Sequence, residues 1–548
     1  MEFMNKHTFK SLEMDYIFSM ISPKTPYGIQ LKSESRPYLI GEEEDLKREL
    51  DEIEGLIDLT DKYQQEFREI KSILRNIKEI RGSLKRAENN IVLEEVEFFE
   101  IKNFLFSIKD ISLIQQRIEN ISEKLKLSRA QDLESLLDPE GTESRTFYIY
   151  DNYSDSLKRF REEKRKLQRE YELERKEIIS QVEAFIGGKL KLNGEINILK
   201  TDTERFNKAI SCPYLSQESS TILMTTFKVK SNEKLNEISD KLEEIKILED
   251  REEFGIRRNL TEKIAENINI LNNIISKIAY FDYSLSKAKF AKQINGIKPI
   301  ISDREEIKVS NGRHIKLERL LKDKGKGFVP VSFSIRRGVT VITGANMGGK
   351  TVNLKVAGIL AAMTQYGLFV PAEEFRTCLF DYIYFSIGDM QSIDTGLSTF
   401  GSEISGMKEI LNYSEKRGLI LVDELARGTN PEEGYAISRA IVRYLKDKNA
   451  LTLFTTHFDG ITREKGIEHL RVIGLKNMDF KGLLNNNEIK EKGIDLILDN
   501  MDYRLERIEG EYSVPKDAIN IARLMGLNEI VLKNAEEILK EGSEDVNE

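Results

Sequence analysis

The apolar run Val339 to Ile342 leads at once into Gly344-Ala345-Asn346-Met347-Gly348-Gly349-Lys350-Thr351, and helix-forming residues follow. The run reads as a strand, and the segment after it has the spacing of a phosphate loop. Glycines let the backbone turn tightly enough for its N–H groups to surround a phosphate, and the helix N-terminus that follows favours the same anion. Gly344, Asn346, Gly348 and Gly349 are therefore expected to line the phosphates, Lys350 to neutralise them, and the Thr351 hydroxyl to complete a Mg²⁺ shell. A strand, a glycine loop and a helix in this order commit the region around them to an α/β fold.

A second strand-like run, Leu419-Ile420-Leu421-Val422, ends in Asp423-Glu424. Neighbouring strand side chains point to opposite faces, so adjacent carboxylates at a strand end can take different tasks. Asp423 is expected to serve Mg²⁺, and Glu424 to act as general base on an attacking water. A third run, Leu451 to Phe454, leads into Thr455-Thr456-His457-Phe458 and places His457 just past a strand end, where open α/β sheets bind ligands. In that company His457 is assigned to the γ-phosphate.

At 548 residues the chain has room for several domains. Its net charge of −9 argues against coating DNA by bulk electrostatics, although a local basic surface remains compatible with phosphate binding. Cys212 and Cys378 lie far apart and the four histidines are scattered, so neither a disulfide framework nor a zinc site is indicated, and a reducing cytoplasm fits. No signal peptide is visible. The apolar stretch Val356 to Val370 is interrupted by Thr364 and Gln365 and reads as the helix after the phosphate loop, so no membrane association is expected.

Up to about residue 300 the chain reads as charged helix, whereas residues 305–480 alternate strand-like runs, glycine turns and helices. Apolar residues recur at steps of three, four and seven through Leu157, Phe160, Leu167, Tyr171, Ile178, Val182 and Phe185, and a second stripe begins with Leu235, Ile238, Leu242 and Ile245. Between them Lys189 to Lys200 and Thr221 to Lys230 read as strands around a turn-rich middle. The expected object is two long antiparallel helices, coiled-coil-like arms, carrying a small β-rich tip.

In order and approximate spacing, the phosphate loop, Leu397-Ser398-Thr399-Phe400, Asp423-Glu424-Leu425-Ala426-Arg427-Gly428-Thr429-Asn430 and Thr456-His457-Phe458 resemble the motifs of the MutS-family ATPases. Arg313-His314 and Phe328-Val329-Pro330 match the family's approach to the phosphate loop and suggest that Phe328 contacts adenine; Val331-Ser332 departs from the polar pair usual in mismatch-repair members. The resemblance covers nearly the whole chain, about Leu12 to Leu539. It implies an α plus α/β multidomain protein: a helical lever and core over residues 1–150, long arms over 151–275 with a clamp tip at about 187–232, and a return to the core over 276–304. An ABC-type P-loop ATPase domain over 305–485 and a helical segment over 486–548 that supports a dimer would complete it. ATP and Mg²⁺ are the implied ligands. A homodimer is implied too, with Ser398 acting in trans on the partner's ATP, together with DNA held at the tip, where Lys189, Lys191, Lys228 and Lys230 occupy the corresponding positions.

Full mismatch-repair members carry a recognition domain and a connector ahead of the lever, and this chain begins almost directly at the lever. Phe98-Phe99-Glu100 imitates the family's mismatch wedge but lies in an amphipathic helical pattern and reads as core. Ile387 to Ile393 and Gly428 to Gly434 look more like paralogues that lack mismatch recognition and often end in a small Smr nuclease domain, which is not expected here. The same compact plan resembles MutS-like ATPases that reactivate cobalamin-dependent aminomutases. Two functional classes therefore stand: an ATP-driven DNA clamp in repair or recombination, and a remodelling ATPase with an aminomutase as protein client.

Overall fold

A computed structural model of the chain describes residues 2–344, 349–387, 399–426, 429–474, 502–508, 519, 522–523 and 527–544. Two compact units result, one comprising Met1–Lys71, Ile118–Leu125 and Ile278–Glu548, the other Ser72–Arg117 and Lys126–Lys277.

The second unit is dominated by the helices Asp155–Ile186 and Glu233–Glu266. Ser154 caps the first by accepting from the N–H groups of Ser156 and Leu157, and Gly187, at φ 74°, ends it in the left-handed conformation that glycine adopts without strain. Asn232 caps the second through the N–H of Leu235. Ser154 donates to Glu252, Arg161 to Glu249 and Glu253, and Lys234 to Glu174, so numbers rise along one helix as they fall along the other. The pair is antiparallel.

Three antiparallel strands, β1 (Glu195–Leu199), β2 (Leu215–Ser220) and β3 (Met224–Val229), join these helices in the order β1-β3-β2. Ile178, Val182 and Ile186 of the first helix pack with Ile196, Ile198, Ala209, Leu215, Phe227 and Leu235. The expected strand from Lys189 is shortened because Lys191–Gly194 forms a turn, with the Gly194 N–H bonded to the Lys191 carbonyl at 2.8 Å and Gly194 at φ 79°. Part of the turn-rich middle is the helix Thr203–Ser211, capped by Asp202. The inward stripe also ends differently from its sequence reading: Ile186, four residues after Val182, is buried, and Phe185 is 49% exposed. Phe98 lies fully buried in the helix Glu95–Gln115, a core position.

Among the described residues the first unit contains two sheets. Its strands are β4 (Ile300–Ile301), β5 (Glu306–Gly312), β6 (Val331–Arg336), β7 (Gly338–Thr343), β8 (Glu374–Thr377), β9 (Tyr382–Ile387), β10 (Gly418–Asp423), β11 (Ala450–Thr455), β12 (Glu468–Gly474) and β13 (Asp502–Arg507). The smaller sheet has the order β4-β8-β5-β6, and the larger β13-β12-β7-β11-β10-β9. All neighbours in the larger sheet run parallel except β13, which pairs antiparallel with β12.

Strands β7, β10 and β11 are buried at every position, which is why each reads as a mostly apolar run, with buried Thr340 in β7 and Thr452 in β11, rather than as an alternation of apolar and polar residues. Alternation reappears as a choice between two cores. Leu419, Leu421, Leu451 and Leu453 pack with Leu354, Ala357 and Ala361 of the helix Lys350–Gln365, whereas Ile420, Val422 and Phe454 pack with Met407, Ile410, Ile441 and Val442 on the opposite face. Leu12, Met14 and Ile17 join the first of these cores, so the N-terminal 71 residues belong to the same compact unit as the phosphate-loop strand. Gln365 is buried and satisfied, its amide nitrogen donating to the Tyr38 and Phe380 carbonyls and its oxygen accepting from the Phe380 N–H. Among the described residues no helix is long and apolar enough to cross a membrane.

Candidate nucleotide site

Parallel order brings the carboxyl ends of β7, β11 and β10 side by side, with β11 in the middle. Gly344 leaves β7 at φ 141°, and Gly349 enters the helix Lys350–Gln365 at φ 82°, both in the region that side-chain-bearing residues rarely adopt. Asn346, Gly348 and their neighbours Ala345 and Met347 lie outside the described residues, as do Ser398, Arg427 and Gly428.

Lys350 and Thr351 open the helix and face β10. The Lys350 ammonium is buried, donating to the Gly344 carbonyl at 2.9 Å and standing 2.8 Å from the Glu424 carboxylate. Thr351 donates its hydroxyl to Asp423 at 2.6 Å, and the other Asp423 oxygen accepts from the Thr455 hydroxyl at 2.7 Å. Four residues that the sequence places in two separate motifs, Lys350, Thr351, Asp423 and Glu424, thus meet in one hydrogen-bonded group.

The chain reverses sharply after β10. Glu424 (φ 49°) and Ala426 (φ 66°) are both left-handed without being glycine. Such conformations cost about 1–3 kcal/mol each and persist where surrounding bonds over-determine them. Here the Glu424 N–H is held by the carbonyl and hydroxyl of Thr455, at 3.2 and 3.0 Å, and the Ala426 N–H donates to Glu403 at 2.9 Å. Glu403 is fully buried on the helix Thr399–Leu411. Neither holding residue is marked in the sequence: Thr455 reads there only as the end of a strand, and an acid inside an amphipathic helix carries no signal of its own.

His457 follows β11 with its side chain exposed and its ring 4.2 Å from that of Phe458. Thr456, just before it, is tied by its N–H to the Ile342 carbonyl at 3.2 Å, which fixes the backbone of this turn against β7. Phe328 is half-buried in the loop before β6, on the smaller sheet, and takes no part in the described contacts that join Lys350 to Glu424. Oxygen donors from a hydroxyl and a carboxylate, as at Thr351 and Asp423, suit Mg²⁺, which favours hard ligands and keeps waters and phosphate oxygens for its remaining positions.

Residues 340–542 match the family MutS domain V. The Endonuclease MutS2 of Halothermothrix orenii is 37% identical over 242 residues, covering 43% of this chain and 30% of that protein. The Endonuclease MutS2 of Clostridium kluyveri is 33% identical over 305 residues, 55% of this chain and 35% of the relative. That of Lactobacillus helveticus is 33% identical over 310 residues, 55% of this chain and 36% of the relative. The chain therefore spans about a third of the length of these curated relatives. With the converging Lys350, Thr351, Asp423 and Glu424 inside the matched segment, residues 340–542 are an ATPase domain of the MutS type.

Proposed function

We propose that this protein is a MutS-like, ATP-dependent DNA-binding protein of repair or recombination, in which ATP hydrolysis opens and closes a homodimeric clamp without wedge-type mismatch recognition. The observation that carries the ATPase part is the meeting of Lys350, Thr351, Asp423 and Glu424 at the carboxyl ends of β7 and β10.

In this reading Gly344, Asn346, Gly348 and Gly349 line the phosphates, and Thr351 with Asp423 holds Mg²⁺. When bound, that ion neutralises charge developing on the transferred phosphoryl oxygens. Phosphate competes with Glu424 for the Lys350 ammonium, and the carboxylate so released is free to take a proton from the attacking water. His457 serves the γ-phosphate, Phe328 contacts adenine, and Ser398 acts on the partner's nucleotide. Interactions across the dimer that depend on the γ-phosphate end on hydrolysis, and that release couples chemistry to opening.

The DNA part draws support from the antiparallel helices with their three-stranded tip, and from relatives named Endonuclease MutS2. That name favours nucleic acid over a protein client. Burial of Phe98 inside a helix supports the absence of wedge recognition at that position. ATP turnover of the purified protein, with and without branched, mismatched and plain duplex DNA, tests the proposal. Structure-selective stimulation is expected; hydrolysis indifferent to every DNA would sink the DNA part and leave the ATPase standing.

A further inference from the structure

A phosphate loop binds only as well as its two ends are held, because its N–H groups must already point at the anion when it arrives. Both ends of this loop touch the same element, the edge ribbon β12–β13. At the entrance the Thr343 hydroxyl shares a hydrogen bond of 2.8 Å with Nε2 of His469, and both residues are buried. One residue later a Cβ on Gly344 would stand 3.0 Å from Val472 Cβ. At the exit a Cβ on Gly349 would stand 2.5 Å from Cδ1 of the Tyr503 ring, so the ring lies directly on the glycine that opens the phosphate helix. Asn353, one turn on, bonds the Gly349 carbonyl at 3.0 Å and reaches the Tyr503 carbonyl at 3.5 Å.

The register explains how one ribbon reaches both ends. β12 runs parallel to β7, with Arg471 opposite Thr343, which sets His469 and Val472 beside the strand end. β13 returns antiparallel, and the pairing slips between Val472 and Gly474. That irregularity falls beside Tyr503, the second residue of β13. The far end of the ribbon, where Arg507 pairs with Glu468, makes no described contact with the loop. Burial and the nearby Arg471 hold the His469 pKa below its ordinary value, so its imidazole is neutral and suited to a hydroxyl partner.

We infer that the β12–β13 ribbon is a brace for the phosphate loop, with His469 at its entrance and Tyr503 at its exit acting as positioning residues for nucleotide binding. The inference rests on the proposed ATP site. Equilibrium binding of a fluorescent ATP analogue with Mg²⁺, and hydrogen exchange of the Lys350–Asn353 amides in nucleotide-free protein, test it together. Tyr503→Ala is expected to weaken binding about tenfold, to raise KM in step with little change in kcat, and to accelerate exchange of those amides. Tyr503→Phe keeps the ring and restores all of these, whereas Arg507→Ala at the far end leaves them unchanged. If Tyr503→Ala does not fold, His469→Leu is read in its place, with the same expectations. Wild-type binding and exchange in the variant would overturn the brace, as would an equal loss in Arg507→Ala, which would mean general loosening of the edge. Lys350→Ala separates the two levels. If it too binds nucleotide like the wild type, the ATP site itself is wrong; if it alone loses binding, only the brace fails.

Discussion

Glu424 is held in an unfavourable backbone conformation by Thr455 while its carboxylate meets Lys350, an arrangement with a consequence for chemistry. Replacing it by glutamine keeps an acceptor for Lys350 and removes the carboxylate proposed as general base. Glu424→Gln is expected to bind ATP normally and to lose about 10²–10⁴-fold in kcat, read by single-turnover hydrolysis; full turnover would remove the general-base role. His314 is a different kind of residue. It accepts the Leu317 N–H as the cap of the helix Ile315–Asp323, and burial pushes its pKa down to about 4, with Lys355 and Lys316 adding to the shift and Glu13 opposing it. The unfolded chain takes up a proton near pH 6.5 while the folded chain resists until about pH 4, so stability is full above the first value and is lost as pH falls toward the second. At roughly 1.4 kcal/mol per unit the loss is about 3 kcal/mol. Glu464 and Glu42, held down to about 2 by Arg443 and Arg36, lose their contributions only at lower pH. His314→Asn keeps a capping side chain and is expected to flatten the urea-midpoint profile across that interval; an unchanged slope would show that another group titrates there. The sequence marks Glu424 through its neighbours and leaves the burial of His314 invisible.

At the level of elements, legibility follows locality. β7, β10 and β11 stand out because fully buried parallel strands are mostly apolar on both faces, and the long helices stand out through their periodicity. The tip between them is only partly legible: the helix Thr203–Ser211 is short and polar, and the turn at Gly194 cuts an apparent strand. Lys189, Lys191, Lys228 and Lys230 are all exposed on this tip, although Lys228 lies 3.5 Å from Glu218. If they hold DNA, replacing all four by alanine is expected to weaken binding and to flatten the salt dependence by about 0.9 in log–log slope for each phosphate no longer neutralised. Filter binding at several salt concentrations would read this, and unchanged affinity and slope would remove the tip from the DNA surface.

For the molecule as a whole, the sequence by itself determined the phosphate loop, the paired carboxylates and the α/β character of the region around them. Each is written in a few consecutive residues whose backbone and side-chain requirements are local. Tertiary structure decided what those residues touch. It joined Lys350 to Glu424 and Thr351 to Asp423 across more than seventy positions, supplied Glu403 and Thr455 to hold the strained turn, and laid His469 and Tyr503 against the two ends of the loop. It also placed the first 71 residues in the same compact unit as the ATPase strands, through Leu12, Met14 and Ile17. No local pattern encodes these contacts, because they depend on which strands become neighbours and in what register, and one residue of slip would turn every side chain to the other face.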